Sequence, residues 1–192
     1  MNNSNHSNIL IIGGGCAGIS VATRLKSLKS DLSISIIEPS EKSLYQAAWT
    51  LVGAGAYDVN STIKPMSSVM PNYVNWIKEY AESFSPESNS VKTSGGEYSY
   101  DYLVVCPGLK INFDGVAGLK ETLGKNNVCT NYSSDMAVYT WECLKNLQGG
   151  NLLFTEPPMP IKCAGAPQKI AYLAADHLKK KVALKDINIE LL

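Results

Sequence analysis

The chain has 192 residues, with 17 Lys or Arg and 17 Asp or Glu, so its formal net charge is zero. Hydrophobic residues make up 45% and charged residues 18%, a globular composition that argues against intrinsic disorder. This balance, with Arg24 as the single arginine, gives no reason to expect a nucleic-acid partner, which requires a basic excess.

Membrane, targeting and metal signals are absent from the sequence. No stretch approaches the roughly 18 to 20 apolar residues that span a bilayer, and residues 1–8 lack the charge pattern of a signal or transit peptide. The cysteines show neither CxxC nor zinc-ligand spacing, so free or redox-active thiols in a reducing compartment are expected, and no metal site. They are Cys16, Cys106, Cys129, Cys143 and Cys163.

The first forty residues predict a strand, a glycine turn, a helix and a second strand. The aliphatic run Ile9–Ile12 leads into the glycines, apolar residues then recur with helical spacing over Ile19–Lys29, and Leu32–Ile37 alternates before becoming purely apolar. This pattern is a complete βαβ unit with a right-handed crossover.

The middle of the chain is less regular. Short helices are predicted over Tyr45–Val52 and Met66–Met70, the second stopped by Pro71. β-formers alternate with turn residues over Tyr73–Tyr100, which predicts a small antiparallel meander. The run Tyr102–Cys106 predicts a separate buried strand that ends at a Pro-Gly turn.

A second, shorter α/β unit is predicted near the end of the sequence. A strand at Asn151–Thr155, a helix at Ala166–Lys181 and a strand at Ile187–Leu191 weakly repeat the first pattern. The predicted domains are therefore a first Rossmann-like domain over 1–112, a connecting segment over 113–150 and a truncated second domain over 151–192.

The glycine turn carries the strongest functional signal. Gly13 permits a tight turn, Gly15 lets backbone approach a pyrophosphate, and Gly18 lets helix and strand pack closely. Glu38 lies about 20 residues after Gly18, at the end of the second strand, where a carboxylate accepts hydrogen bonds from ribose hydroxyls. A dinucleotide site is expected; the alternative is a purely structural turn. The predicted cofactor-binding residues here are Gly13, Gly15, Cys16, Ala17, Gly18, Glu38 and Pro39.

The choice between FAD and NAD depends on a second run, Tyr100–Gly108. It resembles the second fingerprint of flavoproteins of the disulfide-reductase superfamily, a strand that ends in a small-x-Gly turn. Cys106 and Pro107 replace the usual small residue and Thr, and Pro107 removes a backbone donor. Cys106 and Gly108 are predicted to contact the cofactor; the alternative is an ordinary core strand and turn.

Cys163 precedes a helix that carries Pro167 in its first turn, a favoured position for proline. The helix dipole, Lys162 and Lys169 all favour a thiolate there. These features indicate a nucleophilic or redox-active thiol beside a dinucleotide fold, although physical reasoning alone leaves a buried, inert cysteine as an equal alternative.

The sequence around Cys163, IKCAGAPQK, together with the stretch Tyr45–Gly53 resembles the sulfide:quinone oxidoreductases. The match is to the branch that contains the mitochondrial enzymes and their bacterial relatives, and it extends from about Asn8 to Leu192. The resemblance implies an α/β fold with a Rossmann-like FAD-binding domain, a small antiparallel meander and the start of a second, truncated Rossmann-like domain.

The resemblance also implies chemistry. In the family, FAD accepts electrons from sulfide and passes them to a membrane quinone, and a cysteine pair flanks the flavin. Sulfide attacks the bridge between these cysteines and leaves one as a persulfide, whose sulfur passes to a small acceptor. The other is released as the flavin-side thiol, and Cys163 matches it.

Some relatives carry a third functional cysteine near the position of Cys129, which is a second catalytic candidate, with a packed thiol as the alternative. Gln46 and Trp49 are predicted cofactor contacts, although aromatic residues on a short helix are more commonly core.

Two departures from the family pattern lead to further expectations. The second cysteine of the pair lies far downstream in the family, beyond Leu192, and so do the amphipathic helices that dock on the membrane. We therefore expect an incomplete N-terminal half that does not turn over alone, with peripheral membrane contact only in the full-length form. The alternatives are a flavoenzyme like the type II NADH:quinone dehydrogenases and a non-catalytic, truncated dinucleotide-binding module.

Overall fold

The computed structural model describes residues 5–181 and 184–192. These form two compact units, the first from the described residues of Met1–Leu44 and Ile63–Gly108, the second from Tyr45–Thr62 and the described residues of Leu109–Leu192. In chain order the elements are β1 (His6–Ile12), α1 (Cys16–Leu28), β2 (Ile34–Ile37), β3 (Lys42–Leu44), α2 (Trp49–Gly53), β4 (Ile63–Pro65), α3 (Met66–Val69), β5 (Val74–Ile77), β6 (Ala81–Ser85), β7 (Ser90–Thr93), β8 (Glu97–Val105), α4 (Leu119–Thr122), α5 (Ser134–Asn146), β9 (Gly150–Phe154), α6 (Gly165–Lys180) and β10 (Ile187–Leu191).

The compact units group the chain differently from the predicted limits at 112/113 and 150/151. The segment 45–62 belongs to the second unit, because α2 packs against α5 and α6. Residues 113–150 fall in that same unit, and the predicted domain limits stay a prediction. The sequence does not reveal this grouping because it depends on contacts between elements far apart in the chain.

The first unit is built on a six-stranded sheet with the order β5-β2-β1-β8-β7-β6. The strands β5, β2, β1 and β8 run parallel, with Ile9 opposite both Ile34 and Tyr102, whereas β6, β7 and β8 are antiparallel. The predicted βαβ unit is confirmed.

The sheet is covered by apolar residues on both faces, as expected where parallel strands are buried. On one face Ile11, Ile36 and Ala22 of α1 are fully buried, and on the other Leu10 and Ile37 pack in a second cluster. This packing holds the ends of β1 and β2 in fixed positions, and those ends carry the glycine motif and Glu38.

The prediction of the meander was partly wrong. Its first predicted strand, β5, pairs in parallel with β2, and only β6, β7 and β8 form an antiparallel meander. The separate strand predicted at Tyr102–Cys106 is the second half of the long strand β8. The alternating pattern predicted strands correctly, but it does not specify which neighbour each strand joins.

The second unit contains a two-stranded parallel sheet of β9 and β10, with α6 packed beside it. Ile170 and Ala174 of α6 are buried with Leu144 of α5 and Ala54. The predicted strand, helix and strand are therefore present within one residue of their predicted limits. No helix in the described ranges is long and apolar enough to cross a membrane.

Candidate functional site

The glycine motif, Glu38 and Cys106 lie at one edge of the large sheet. They directly follow β1, β2 and β8, three adjacent parallel strands whose carboxyl ends meet there. The backbone N–H of Gly13 donates to the Ile37 carbonyl at 2.9 Å, and that of Cys106 donates to the Ile12 carbonyl at 2.7 Å. The structure thus brings together residues that the sequence separates by up to 93 positions, from Gly13 to Cys106, at the edge where open α/β sheets bind ligands.

Two glycines of the motif are required by close backbone contacts. Gly13 has φ of +99°, and a Cβ there would lie 2.0 Å from the Cys106 carbonyl oxygen. A Cβ on Gly18 would lie 2.0 Å from the Gly13 carbonyl oxygen. A side chain at Gly13 would push the ends of β1 and β8 apart, and one at Gly18 would push α1 away from the end of β1.

Gly15 differs from the other two because the space around it is open. A Cβ there would meet no atom within 4 Å. Gly15, Cys16 and Ala17 are exposed at the start of α1, which has no side-chain cap and no acidic residue in its first turn. The helix therefore presents its N-terminal N–H groups and positive dipole end to solvent, the arrangement that binds a pyrophosphate.

Glu38 is half-buried and is held by the backbone on both sides. One carboxylate oxygen accepts the N–H of Gly14 at 2.8 Å, and the other accepts the N–H of Ser40 at 2.7 Å. Since a carboxylate has about four acceptor positions, two remain for the hydroxyls of a ribose. The neighbouring Pro39 is also half-buried. The glycine turn and Glu38 fit the adenosine and pyrophosphate parts of a dinucleotide.

The turn after β8 is the second predicted cofactor contact. Cys106 is half-buried, and Gly108 is exposed with φ of +74° and open space around its Cα. Pro107 between them contributes no N–H. Donors for a ligand at this turn must therefore come from the backbone on either side of Pro107.

Cys163 lies in the second unit, in the loop immediately before α6, as predicted. The thiol-bearing residue is exposed, and its carbonyl oxygen accepts two hydrogen bonds, from the Tyr132 phenol at 3.0 Å and from the Ala166 N–H at 3.1 Å. Pro167 is buried in the first turn of the helix. The loop is thus fixed through its backbone while the side chain remains accessible to a small reagent, and this excludes the alternative of a buried cysteine.

Lys162 is the cation beside this thiol. Its amine lies 5.9 Å from the centre of the Trp49 ring and 6.0 Å from that of Tyr132, within range of both ring faces. Partial burial lowers the pKa of Lys162, and the neighbouring Cys163 acts in the opposite direction. A positive charge is therefore placed next to the Cys163 side chain.

Cys129 lies in a different environment. It is half-buried, and burial raises the pKa of its thiol above the ordinary value, so the reactive thiolate is disfavoured. This environment favours the packed-thiol alternative, and a catalytic role for Cys129 stays a prediction.

The two predicted contacts in the Tyr45–Gly53 stretch are placed differently from each other. Gln46 is exposed in a 3₁₀ turn ahead of α2. Trp49 is only 3% exposed, donates from its indole N–H to the Thr62 hydroxyl at 3.2 Å, and packs with Val52 and Ala137. Protein atoms already cover the ring, which favours the core alternative, and Trp49 as a cofactor contact stays a prediction.

Sequence reasoning missed Tyr132 and Gly14. No periodicity or motif marks Tyr132, and its contact with Cys163 arises only from the fold. Gly14 is inside the motif, but its N–H bond to Glu38 requires knowing that β2 lies beside β1. In residues 5–181 and 184–192, no group of three or more potential ligands could hold a metal ion.

These features define the class of protein: an α/β protein with a dinucleotide-binding fold and an accessible thiol. Residues 7–136 match the family described as pyridine nucleotide-disulphide oxidoreductase, and the chain belongs to that family. This membership confirms the predicted Rossmann-like fold and the predicted FAD cofactor.

Similar proteins agree with the predicted resemblance. The mitochondrial sulfide:quinone oxidoreductase of Dictyostelium discoideum is 46% identical over 179 residues, and that of Mus musculus is 41% identical over 177 residues; both alignments cover 92% of this chain. The crystal structure of the sulfide:quinone oxidoreductase from Aquifex aeolicus matches 97% of this chain with a TM-score of 0.78 and 26% identity. This chain covers 42% of that structure, and it spans about 40% of the length of the two mitochondrial relatives.

The alternative class of type II NADH:quinone dehydrogenases is more distant from this chain in sequence. The type II NADH:quinone oxidoreductase of Staphylococcus haemolyticus is 30% identical over 116 residues, which is 59% of this chain. The comparisons therefore favour the sulfide:quinone oxidoreductases over the NADH-dependent alternative.

Proposed function

We propose that this chain serves a FAD-dependent sulfide:quinone oxidoreductase reaction, in which sulfide is oxidised to a persulfide and a quinone is reduced. The observation that carries the proposal is the 41–46% identity to proteins of that name over 92% of the chain, a span long enough to include the Cys163 loop. Quinone as the electron acceptor implies peripheral contact with a membrane, which we propose on the same ground.

The first unit would hold the cofactor. Gly13 and Gly18 shape the turn, the exposed N-terminus of α1 at Gly15, Cys16 and Ala17 would bind the pyrophosphate, and Glu38 would accept the ribose hydroxyls. FAD, when bound, would supply a two-electron acceptor for sulfur and a two-electron donor for quinone.

Cys163 would be the sulfur-reactive thiol. It is exposed, its backbone is anchored by Tyr132 and Ala166, and Lys162 places a positive charge beside it. Sulfide loses two electrons when it becomes the outer sulfur of a persulfide, and the quinone takes up two electrons and two protons. A small thiol or sulfite would then accept the outer sulfur.

An anaerobic visible spectrum of the chain purified with FAD, before and after sulfide is added, tests the proposal. We expect a bound flavin whose absorbance bleaches with sulfide and returns with a soluble quinone analogue in a single cycle, and no sustained turnover from this chain alone. Cys163→Ser should abolish bleaching while keeping the flavin bound, and Cys143→Ser, in the same unit, should leave bleaching unchanged.

Three results would contradict the proposal. Bleaching by NADH but not by sulfide would support the NADH-dependent class instead. Bleaching by sulfide in Cys163→Ser would remove that residue from the chemistry. Absence of bound flavin would support the second alternative, a non-catalytic dinucleotide-binding module.

A further inference from the structure

The outer strand β5 holds the backbone of Glu38 in the first unit. The strands β2 and β5 pair in parallel as far as Ile37 and Ile77. Directly after that pair, the Glu38 N–H donates to the Ile77 carbonyl at 2.9 Å, and the Glu38 carbonyl accepts the indole N–H of Trp76 at 2.8 Å. Both backbone groups of Glu38 therefore have a partner on β5, while its carboxylate accepts N–H groups from the glycine turn and from its own loop.

The indole bond takes the place of a backbone bond at the end of the sheet. The strand β2 ends at Ile37, and Pro39 has no N–H with which the ladder between β2 and β5 could continue. Trp76 is half-buried, and its side chain reaches the carbonyl of the residue between these two. A side chain, and not the sheet ladder, thus fixes the carbonyl end of Glu38.

The same indole ring has a weaker link to the far end of the loop that follows β2. The Lys78 amine lies 4.5 Å from the centre of the Trp76 ring and 2.8 Å from a carboxylate oxygen of Glu41. The side chains of this ion pair are both more than half exposed, and exposed pairs of this kind contribute little. The indole hydrogen bond is therefore the side-chain contact through which β5 acts on Glu38.

We propose that Trp76 is a positioning residue for the cofactor: its indole N–H fixes the backbone of Glu38 so that the carboxylate meets the ribose hydroxyls of FAD. A hydrogen bond weakens steeply when its geometry is lost, so a small rotation at Glu38 would misalign the acceptor positions that Gly14 and Ser40 leave open. The inference rests on the FAD site of the proposed function and extends that site to β5.

A double-mutant cycle with FAD as the probe tests this role. Trp76→Phe keeps an aromatic ring and removes the donor, so we expect about fivefold weaker binding of FAD, the effect of one lost hydrogen bond. In the Glu38→Ala background the same change should alter FAD affinity by less than about twofold, because the carboxylate through which Trp76 acts is absent. Lys78→Gln is the matched control: it removes the cation beside the ring, retains the indole N–H, and should leave FAD affinity unchanged.

A second measurement leaves the indole in place. ADP carries the ribose and the pyrophosphate without the flavin, and the chain has three tryptophans, so its ¹H–¹⁵N spectrum contains three indole N–H signals. The variants Trp49→Phe and Trp141→Phe assign these signals by the one that each removes. We expect saturating ADP to shift the Trp76 signal, because the ribose binds the residue whose carbonyl this N–H contacts.

Three results would overturn the proposal. They are unaltered FAD affinity in Trp76→Phe, equal weakening by this change with and without the Glu38 carboxylate, and a Trp76 signal that saturating ADP does not move. The equal weakening would show that Trp76 has only a general structural role. FAD binding without bleaching by sulfide would contradict the proposed sulfide reaction and leave the role of Trp76 in place, so the two proposals fail separately.

Discussion

The phenol of Tyr132 donates a hydrogen bond of 3.0 Å to the carbonyl oxygen of Cys163, across 31 positions of sequence. This bond ties the stretch before α5 to the loop before α6. Burial raises the pKa of Tyr132, and the nearby Cys163 and Glu156 add to that effect. The phenol therefore stays protonated, and remains a donor, to higher pH than an exposed tyrosine.

Removing this donor should loosen the Cys163 loop. We expect Tyr132→Phe to lower the free energy of unfolding by about 1 kcal/mol, the ordinary contribution of one hydrogen bond, and to accelerate alkylation of Cys163. Urea denaturation and the rate of iodoacetamide labelling measure the two effects. Tyr172→Phe, at a position 73% exposed on α6, is the control and should change neither. Equal labelling rates in the three proteins would show that the bond does not restrain the loop.

Two glycines of the motif should have different roles: Gly18 is needed for stability, and Gly15 is needed for cofactor binding. Gly18→Ala places a Cβ against the Gly13 carbonyl oxygen at 2.0 Å, so we expect a destabilisation of about 1–3 kcal/mol or more. Gly15→Ala meets no protein atom, and loss of glycine at the N-cap costs at most about 1 kcal/mol.

Gly15→Ala should nevertheless lose FAD, because its methyl group would occupy the space that the pyrophosphate approaches. Urea denaturation and flavin absorbance after gel filtration distinguish the two variants. FAD retained by Gly15→Ala with unaltered affinity would remove the pyrophosphate from the N-terminus of α1.

Glu38 combines a structural and a binding role. In Glu38→Gln one of the two acceptor oxygens becomes an amide nitrogen, so either Gly14 or Ser40 loses the acceptor for its N–H. We expect a loss of about 1–2 kcal/mol in stability and about a tenfold weaker affinity for FAD, which corresponds to about 1.4 kcal/mol. Thermal denaturation and flavin titration measure these quantities.

Glu41→Gln is the matched control in the same unit. Its carboxylate is 73% exposed and pairs with Lys78 at 2.8 Å, and such surface pairs contribute about 0–1 kcal/mol. We expect no change in FAD affinity in this variant. An equal loss of affinity in both variants would indicate a general charge effect and would argue against a specific contact from Glu38.

The predictable part of this protein is the part encoded locally. The run Ile9–Ile12, the glycines and Leu32–Ile37 form consecutive elements, so hydrophobic period and glycine spacing were enough to predict β1, α1 and β2. The partner of β5 was not predictable, because the sequence of Val74–Ile77 fits a meander as well as the outer edge of a parallel sheet.

The residues of the candidate site were likewise predictable only where their signal is local in the sequence. Gly13, Gly18 and Glu38 were found from spacing, whereas Tyr132 was missed because its contact with Cys163 depends on how two distant segments pack. Trp49 was assigned to the cofactor from a resemblance, and its burial against Ala137 and Val52 follows from packing that the sequence pattern does not specify.

His177 should make the stability of the second unit sensitive to acid. Its Nε2 atom is buried without a hydrogen-bond partner among the described residues, and its ring stands edge-on to Trp141 at 4.8 Å. Burial lowers the pKa of His177 below 6.5; Lys181 and Lys180 lower it further, and Asp176 partly opposes them. The unfolded chain therefore takes up the proton at a higher pH than the folded chain does.

Because the unfolded state binds the proton first, the free energy of unfolding should fall as the pH falls below about 6.5 towards the lower pKa of the folded state. His177→Phe keeps an aromatic ring against Trp141 and carries no titratable group, so it should lose this acid sensitivity. The stability difference between the two proteins at pH 8, where His177 is neutral in both states, gives the packing baseline. At each step from pH 8 towards pH 5, the free energy of unfolding of the variant, measured by urea denaturation, should rise relative to that of the unaltered chain. If the free energies of unfolding of the two proteins change in parallel from pH 8 to pH 5, His177 is protonated equally in the folded and unfolded states.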